Sequence, residues 1–296
     1  MKAVETSPST GRRYGIQRVC DCWSVARSTV YSQKYRKPVE KQKRPGPKPD
    51  VSDEKVLQYI REDIKESVFK GEGHRKVHAR IRRRKDFHVS RRRVLRLMRQ
   101  ENLLSPHRSS QTKAKAHDGK IITNAPNQMW GTDACKILTS EDGWVWFFGV
   151  VEHWNAECMG WHVCKKGDRF AAIEAILKSV RREHGDISKG IAGGLKLRMD
   201  HGSQFKSDGF QEQIKYWGIQ PAFGYVREPE TNGVIERFNR TLKEQVIHGR
   251  MYRNIEEVRE AIKQFIELYN KEWLIGKLGY LSPMEARQKW KDDHAA

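Results

Sequence analysis

Between residues 131 and 164 the chain carries three apolar segments that are separated by connections of only five residues. The segments are 131–138, 144–151 and 157–164, and the middle one is apolar at nearly every position. Parallel neighbours need crossovers of a dozen residues or more, so these connections permit only antiparallel pairing. A strand that is apolar throughout is typical of one buried on both faces. The pattern therefore predicts an antiparallel meander in the middle of the chain.

After the meander, helical and extended patterns alternate. Apolar residues at helical spacing predict a helix over 169–184, and 195–199 is predicted as a short strand that ends at Asp200. The elements expected next are a helix, a strand and two helices, at 207–217, 219–223, 232–248 and 255–269. Three strands followed by alternating helices and strands predict an α/β fold of the ribonuclease-H-like kind, with a mixed five-stranded sheet.

Positive charge is concentrated in the first part of the chain. Residues 1–125 hold 32 of the 57 Lys and Arg residues but only 13 of the 37 acidic ones, an excess of 19, whereas residues 126–296 carry +1. This asymmetry indicates a front part that binds a polyanion and a back part with another role, with a solvated basic surface as the alternative.

Helical patterns fill the basic part. A helix over 52–68 is predicted to place Val56, Tyr59, Ile60 and Ile64 on one face. A second helix is predicted near 74–85, and Ser90 is a natural N-cap for a third. These last two helices with their short turn match a helix-turn-helix.

Arginines cover one face of the third helix, while Val94, Leu97 and Met98 point inward. In a major groove such a face would reach phosphates or guanine edges. An amphipathic helix with a solvated face is the alternative. The candidate DNA-binding residues on it are Arg91, Arg92, Arg93, Arg96 and Arg99.

Three acidic residues lie in contexts that suit an active site. Asp133 follows Trp130-Gly131-Thr132 in a predicted strand, Asp200 ends another, and Glu236 opens a predicted helix. The 35 residues between Asp200 and Glu236 are weak evidence alone, because Asp208 and Glu244 have the same spacing. Context separates the two pairs, since Asp208 suits a solvated helix cap.

Carboxylates gathered near one sheet repel each other unless they are protonated or bound to cations. Two Mg²⁺ ions about 4 Å apart, with Mn²⁺ as a substitute, can activate an attacking oxygen and stabilise a leaving one. Such a site can cut a phosphodiester with water or join strands with a DNA 3′-hydroxyl. Arg240 and Lys243 share a helix face with Glu236 at i, i+4 and i+7, which suits a DNA terminus, with a salt-bridged surface as the alternative.

At this point the residues resemble a known family. Residues 126–285 are similar to the catalytic core of D-D-E transposases and retroviral integrases, and the whole chain resembles the B-frame proteins of bacterial insertion sequences of the IS-three group. The stretches that carry the resemblance are HVSRRRVLRLMRQENL, MWGTDACKI, RMDHGSQF, ETNGVIERFNRTLKEQ and LGYLSP. It implies an integrase core in which Asp133, Asp200 and Glu236 are the catalytic and metal-binding triplet, and in which Lys243 contacts a DNA terminus.

The resemblance also implies partners and a reaction. The expected substrates are double-stranded DNA at terminal inverted repeats and target DNA, and one strand would be joined first to give a circular intermediate. We expect a homodimer or larger assembly on DNA, with each core able to act on its partner's end, and fusion or binding to an upstream-frame protein. Glu152 departs from the family pattern, which often has Asp there, and so does the segment after Tyr269-Asn270.

Two alternatives to a transposase stay open: a non-catalytic DNA-binding regulator, and a structure-selective nuclease that cuts without joining. The five cysteines, with no secretory leader, favour a reducing cytoplasm, here beside the bacterial nucleoid, and no membrane segment is expected. The predicted organisation is a small helix-turn-helix segment, a basic linker, a helix-turn-helix domain, a second linker, the catalytic core and a helical extension, at 1–36, 37–50, 51–105, 106–126, 127–250 and 251–296.

Overall fold

The structure, a computed structural model, describes residues 5–34, 51–84, 87–105, 121–223 and 233–295. The predicted linker at 37–50, most of the linker at 106–126 and the predicted start of a helix at residue 232 lie outside these ranges. The chain divides into two compact units, Met1–Asp50 and Val51–Ala296. In the first unit, two short helices form as predicted, α1 (Ile16–Cys22) and α2 (Arg27–Lys34).

The second unit begins with three helices that pack on one another. They are α3 (Asp53–Glu66), α4 (His74–Arg84) and α5 (Arg91–Gln100). Ser90 caps α5 as predicted, because its hydroxyl accepts a hydrogen bond from the Arg93 amide. Their shared core contains Val56, Ile60, Val77, Ile81, Val94, Leu97 and Met98.

One prediction for α3 is wrong. Ile64 was expected to face the core but is exposed, whereas Asp63 is buried in its place. Asp63 accepts hydrogen bonds from the Arg80 guanidinium at 2.8 Å, so a paired charge occupies the inward position. The apolar periodicity of α3 therefore ends one turn earlier than its sequence indicates.

Five strands of the described residues form one mixed sheet in the order β3-β2-β1-β4-β5. Strands β1 (Met129–Thr139), β2 (Gly143–Glu152) and β3 (Cys158–Cys164) form the predicted antiparallel meander. Strands β4 (Lys196–Met199) and β5 (Gln220–Phe223) extend the sheet in parallel with β1. This order and these directions confirm the ribonuclease-H-like fold.

Helices cover both faces of the sheet. The helices and helical turns after β3 are α6 (Arg169–His184), α7 (Ser203–Lys206), α8 (Asp208–Tyr216), α9 (Gly233–Leu242), a π-helical turn (Lys243–Ile247), α10 (Ile255–Glu272), a 3₁₀ turn (Gly276–Leu278) and α11 (Pro283–Asp293). One buried cluster packs α6 and α8 against one face, and another packs α9 and α10 against the opposite face. Asp208 begins α8 as an exposed first residue rather than as its cap.

Side-chain alternation along β1 decides which residues face α9. Trp130 belongs to the cluster on the α6 side, whereas Cys135 and Ile137 belong to the cluster on the α9 side. Successive side chains of a strand point to opposite faces, so Asp133 shares the α9 face with Cys135 and Ile137. The sheet therefore directs this carboxylate toward the helix that carries Glu236.

Candidate active site

Asp133 on β1 and Asp200, the residue directly after β4, lie at the same level of two neighbouring parallel strands. The ladder between β1 and β4 pairs Met129 with Lys196 and Gly131 with Arg198. Two residues further along each strand are Asp133 and Asp200, so the same register brings them side by side. The charge of Asp200 acts on Asp133, as expected for carboxylates that lie near each other.

The Asp133 carboxylate is half-buried and held from two sides. Its Oδ1 accepts from the Ala134 amide at 2.8 Å, and its Oδ2 accepts from the Asn239 side-chain amide on α9 at 2.8 Å. Burial and the nearby charge of Asp200 raise the pKa of Asp133, although these hydrogen bonds and Lys243 act in the opposite direction. The site therefore holds two acids whose shared negative charge is incompletely compensated.

Asp200 directly follows β4 and is exposed, as expected for a carboxylate at the end of a sheet strand. Its Oδ1 accepts from the Gly202 amide at 2.9 Å, which fixes the turn into α7. The Asp200 side chain is thus oriented by backbone at the mouth of the site, while Asp133 lies deeper.

Glu236 lies in the first turn of α9 and is half-buried. Asn239, which holds Asp133, is three residues further on and therefore one helical turn away on a similar face. Among the residues that the structure describes, no three His, Cys, Asp or Glu side chains are close enough to hold one metal ion. The structure thus brings Asp133 and Asp200 together, and convergence of all three carboxylates stays a prediction.

The side chains at this position fit a hard divalent cation. The predicted ligands are all carboxylate oxygens, the type that Mg²⁺ and Mn²⁺ prefer. The Oδ1 atom of Asn239 is buried without a hydrogen-bond partner among the described residues. Its amide cannot be turned to relieve this, because the oxygen would then face the Asp133 carboxylate. A cation beside Asp133 would compensate both the paired acids and this oxygen.

Lys243 and Arg240 differ in their relation to the acids. Lys243 opens the π-helical turn after α9, and its positive charge partly offsets the effect of burial, which raises the pKa of both Asp133 and Cys135. Arg240, one turn after Glu236 on α9, is exposed. Burial nevertheless raises the pKa of the Cys135 thiol to about 11, so that thiol is neutral at physiological pH.

Comparison with known proteins identifies the domains of this chain. Two models described as integrase core domain match residues 123–229 and 217–283, which together span more than half of the chain. The chain belongs to the integrase core family. Members of this family are polynucleotidyl transferases, and this integrase-core protein is an enzyme of that type. A model of an HTH-like domain also matches, over residues 52–111.

Its curated relatives are insertion-sequence transposases. The transposase for insertion sequence element IS629 of Shigella sonnei is 25% identical over 302 residues, covering 96% of this chain and 97% of the relative. Transposase InsD for insertion element IS2 of Escherichia coli is 25% identical over 219 residues, covering 72% of each. Transposase is therefore the function that the relatives and the domain content support.

Solved structures also match the core. The catalytic core domain of BIV integrase is 18% identical with a TM-score of 0.40, and the match covers 57% of this chain and 99% of that one. The catalytic core domain of HTLV-2 integrase, solved in complex with magnesium, is 15% identical with a TM-score of 0.40 and covers 55% and 98%.

In the HTH-like domain of this integrase-core protein, two of the five predicted DNA-binding arginines are engaged within the domain. Arg93 donates to Asp53 Oδ1 at 2.6 Å and to the Val51 carbonyl at 2.7 Å. Arg96 donates to Asp53 Oδ2 at 2.6 Å. Asp53 thus ties both arginines to the start of α3, which reduces the positive charge that this edge of α5 offers to DNA.

The other arginines of α5 are exposed, and two of them lie toward α4. The pKa of His74 is lowered by burial and by the charges of Arg75, Arg91 and Arg99. The charges of Arg91 and Arg99 on α5 therefore reach a residue at the start of α4. Arg75 on α4 and Arg91 and Arg99 on α5 thus all act on His74, at the α4–α5 junction.

His153, directly after β2, is a buried histidine beside two cations. Burial and the charges of Lys277 and Arg198 lower the pKa of His153 to about 4. Lys277 donates to the His153 carbonyl at 2.9 Å. Burial and the charge of Arg237, the residue after Glu236, lower the pKa of Lys277. Lys277, Arg198 and Arg237 thus act on one another and on His153, and the sequence pattern did not single out this group.

Asn239 is the functional residue that the sequence analysis missed, although its spacing of three from Glu236 was visible. Glu152, the departure from the family pattern, is fully buried and accepts from the Asn127 amide, the Trp154 amide and the Trp130 indole. Its role is to hold the loop before β1, so it does not belong to the candidate active site. None of the helices in the described ranges is long and apolar enough to cross a bilayer.

Proposed function

We propose that this protein is an insertion-sequence transposase that cuts and joins DNA strands at the ends of its element. Asp133, Asp200 and Glu236 are the proposed catalytic carboxylates. The observation that carries the proposal is the side-by-side placement of Asp133 and Asp200 on parallel strands, with Asp133 hydrogen-bonded to the helix that carries Glu236.

Asp133 and Asp200 would hold divalent metal, Mg²⁺ or Mn²⁺, and Glu236 would complete a second ion's site. Two such ions, when bound, activate the attacking oxygen and stabilise the leaving oxygen of an in-line displacement. The chain's own residues orient this chemistry: Asn239 fixes the Asp133 carboxylate. Lys243, beside Asp133, supplies a cation for the phosphate of a DNA terminus.

The HTH-like domain would bind the terminal inverted repeats through the α4–α5 junction. Arg91, Arg92 and Arg99 are the exposed arginines of α5 that can reach DNA phosphates or guanine edges. Arg93 and Arg96 would instead hold the domain together through Asp53. Arg240 on α9 is exposed and would contact DNA that approaches the core.

Transposition pairs two element ends and a target, so we propose that two or more copies of this chain act together on DNA. A first joined strand would give a circular intermediate before insertion. The protein would act in the bacterial cytoplasm, at the nucleoid. An upstream-frame protein would be its fusion or binding partner.

The test is a joining assay on labelled DNA that carries the inverted repeats flanking the gene. With Mg²⁺ or Mn²⁺ the wild-type protein should cleave and join these ends, while Asp200→Asn and Glu236→Gln should lose activity by about a thousandfold or more. Asp208→Asn and Glu244→Gln are matched controls, since this second pair has the same spacing, and both should stay active.

Other outcomes separate the alternatives. Undiminished end binding with neither cleavage nor joining would identify a regulator, and cleavage without joining would identify a nuclease. For the DNA contacts, Arg91→Ala and Arg99→Ala should weaken end binding and reduce the salt dependence of the affinity by about one phosphate contact each. Arg96→Ala should lower stability with a smaller change in that salt dependence.

A further inference from the structure

The segment between α3 and α4 of the HTH-like domain inserts into the core of the integrase domain. Phe69 is buried in the cluster that contains Phe238 and Phe265. The ring centroids of Phe69 and Phe265 are 6.4 Å apart. Phe69 also meets Trp273 edge-on, with ring centroids 4.9 Å apart. The core of one domain therefore includes a side chain from the other.

Next to this buried ring, Gln245 grips the backbone of Lys70 on both sides. Gln245 Oε1 accepts from the Lys70 amide at 3.0 Å, and Gln245 Nε2 donates to the Lys70 carbonyl at 2.9 Å. A side-chain amide that satisfies both polar groups of one residue imitates a strand neighbour and fixes its own orientation. The pairing joins residues that are 175 positions apart.

Gln245 lies in the π-helical turn Lys243–Ile247, which continues α9. The same helix carries Glu236 and Asn239 in its earlier turns, and Lys243 begins the turn beside Asp133. A π-helical turn is uncommon and shifts the direction of every later side chain relative to an α-helix. Gln245 is thus part of the same turn as Lys243, whose charge acts on Asp133.

Apolar packing alone would leave α9 free to make small rotations about its own axis. Ile235, Phe238 and Leu242 bury one side of the helix, and such contacts tolerate small rotations because they lack direction. Hydrogen bonds require both distance and angle, so the two bonds to Lys70 resist rotation of the turn. Their partner atoms, the amide and carbonyl of Lys70, belong to the HTH-like domain rather than to the integrase core.

We propose that Gln245, held by the Phe69–Lys70 segment, is a positioning residue for the catalytic reaction. Through it the HTH-like domain orients α9, so that Glu236 and Lys243 face Asp133. The inference rests on the proposed function for its catalytic consequence. It implies that the HTH-like domain is a structural part of the active site besides being its DNA-binding module.

A second contact between the same domains supplies a matched control. Arg83 on α4 donates to Glu285 at 3.2 Å and to the Tyr280 carbonyl at 2.5 Å, both near the start of α11. This contact also joins the HTH-like domain to the core but does not touch α9 or its π-helical turn. Arg83→Ala therefore weakens domain attachment without loosening the proposed positioning contact.

The experiment compares Gln245→Met, Gln245→Glu and Arg83→Ala in the full-length chain. Methionine keeps the length and packing of glutamine but makes neither hydrogen bond, whereas glutamate keeps only the bond from the Lys70 amide. Hydrogen exchange is measured over residues 233–247. The joining rate of pre-cleaved inverted-repeat ends with Mg²⁺ and the affinity for those ends are measured on the same variants.

Gln245→Met should increase exchange over residues 233–247 and slow joining about tenfold or more, with end binding within about threefold of wild type. Gln245→Glu should give exchange and joining rates between those of wild type and Gln245→Met. Arg83→Ala should match wild type in both exchange and joining. Unchanged exchange over 233–247 in Gln245→Met overturns the proposal, and so does loss of protection throughout the core, which would assign Gln245 to folding alone. If wild type joins no DNA while exchange responds as expected, the proposed function fails and the positioning contact stands.

Discussion

Asn239 donates a 2.8 Å hydrogen bond from its side-chain amide to Asp133, and this bond links helix α9 to the central strand of the sheet. The contact fixes one carboxylate oxygen of Asp133 and leaves the other to the Ala134 amide. Asn239 is also one turn from Glu236, so a single residue connects the two elements that carry proposed catalytic acids. Its importance can be measured directly.

Replacing Asn239 by Ala should slow joining about tenfold to a hundredfold, because the Asp133 carboxylate loses the donor that orients it. Binding of element ends should stay within about threefold, since Asn239 lies away from the HTH-like domain. Thr241→Ala is the control, because its hydroxyl bonds only to the Arg237 carbonyl of the same helix. Equal losses in the two variants would show that α9 is merely destabilised.

Asp133→Asn should make the protein more stable while abolishing its activity. The raised pKa of Asp133 means that the folded state holds the ionised carboxylate at a cost, which disappears as pH falls through that pKa. Removing the charge should raise the unfolding midpoint by about 2–4 °C at pH 7 in calorimetry without metal. Asp200→Asn, which neutralises an exposed group, should change the midpoint less.

Added Mg²⁺ gives a second measurement on the same variants. A cation that binds between the acids stabilises the folded state by mass action, so the wild-type midpoint should rise with Mg²⁺ concentration. The rise should be much smaller in Asp133→Asn. An equal response in both proteins would place the metal elsewhere.

Asp63→Ala should destabilise the HTH-like domain by about 3 kcal/mol, because the largely buried Arg80 would lose its main partner. Ile64→Ser should change stability by no more than about 0.5 kcal/mol, since Ile64 is exposed. Chemical denaturation of the two variants tests this, and the reverse ranking would support the apolar periodicity over the structure.

Stability should fall between pH 6.5 and pH 4, partly because of His153. Its pKa is lowered to about 4 by burial and by Lys277 and Arg198, so the unfolded chain takes up a proton in this window and the folded chain does not. Folding free energy that is present above pH 6.5 is therefore lost as pH falls, by about 2–3 kcal/mol at pH 4. His153→Gln should flatten this part of the pH–stability curve, and an unchanged slope would assign it to other groups.

The sequence determined the fold through local patterns. Five-residue connections between apolar segments allow only an antiparallel meander, and helical spacing with Ser90 as a cap places α5 within a residue of its predicted start. The candidate acids could be chosen because a carboxylate beside an apolar strand is costly unless it is paired or binds a cation. These signals are local, and the chain carries them whatever its tertiary contacts.

Only the tertiary structure decided which polar side chains are hydrogen-bonded to each other. The engagement of Arg93 and Arg96 by Asp53, the burial of Asp63 and the bond from Asn239 to Asp133 all join positions that are far apart in the chain. Gln245 and Lys70 are the extreme case, since nothing within either segment indicates the other. Periodicity reports which face of an element is apolar, but a polar side chain's partner depends on how whole elements pack.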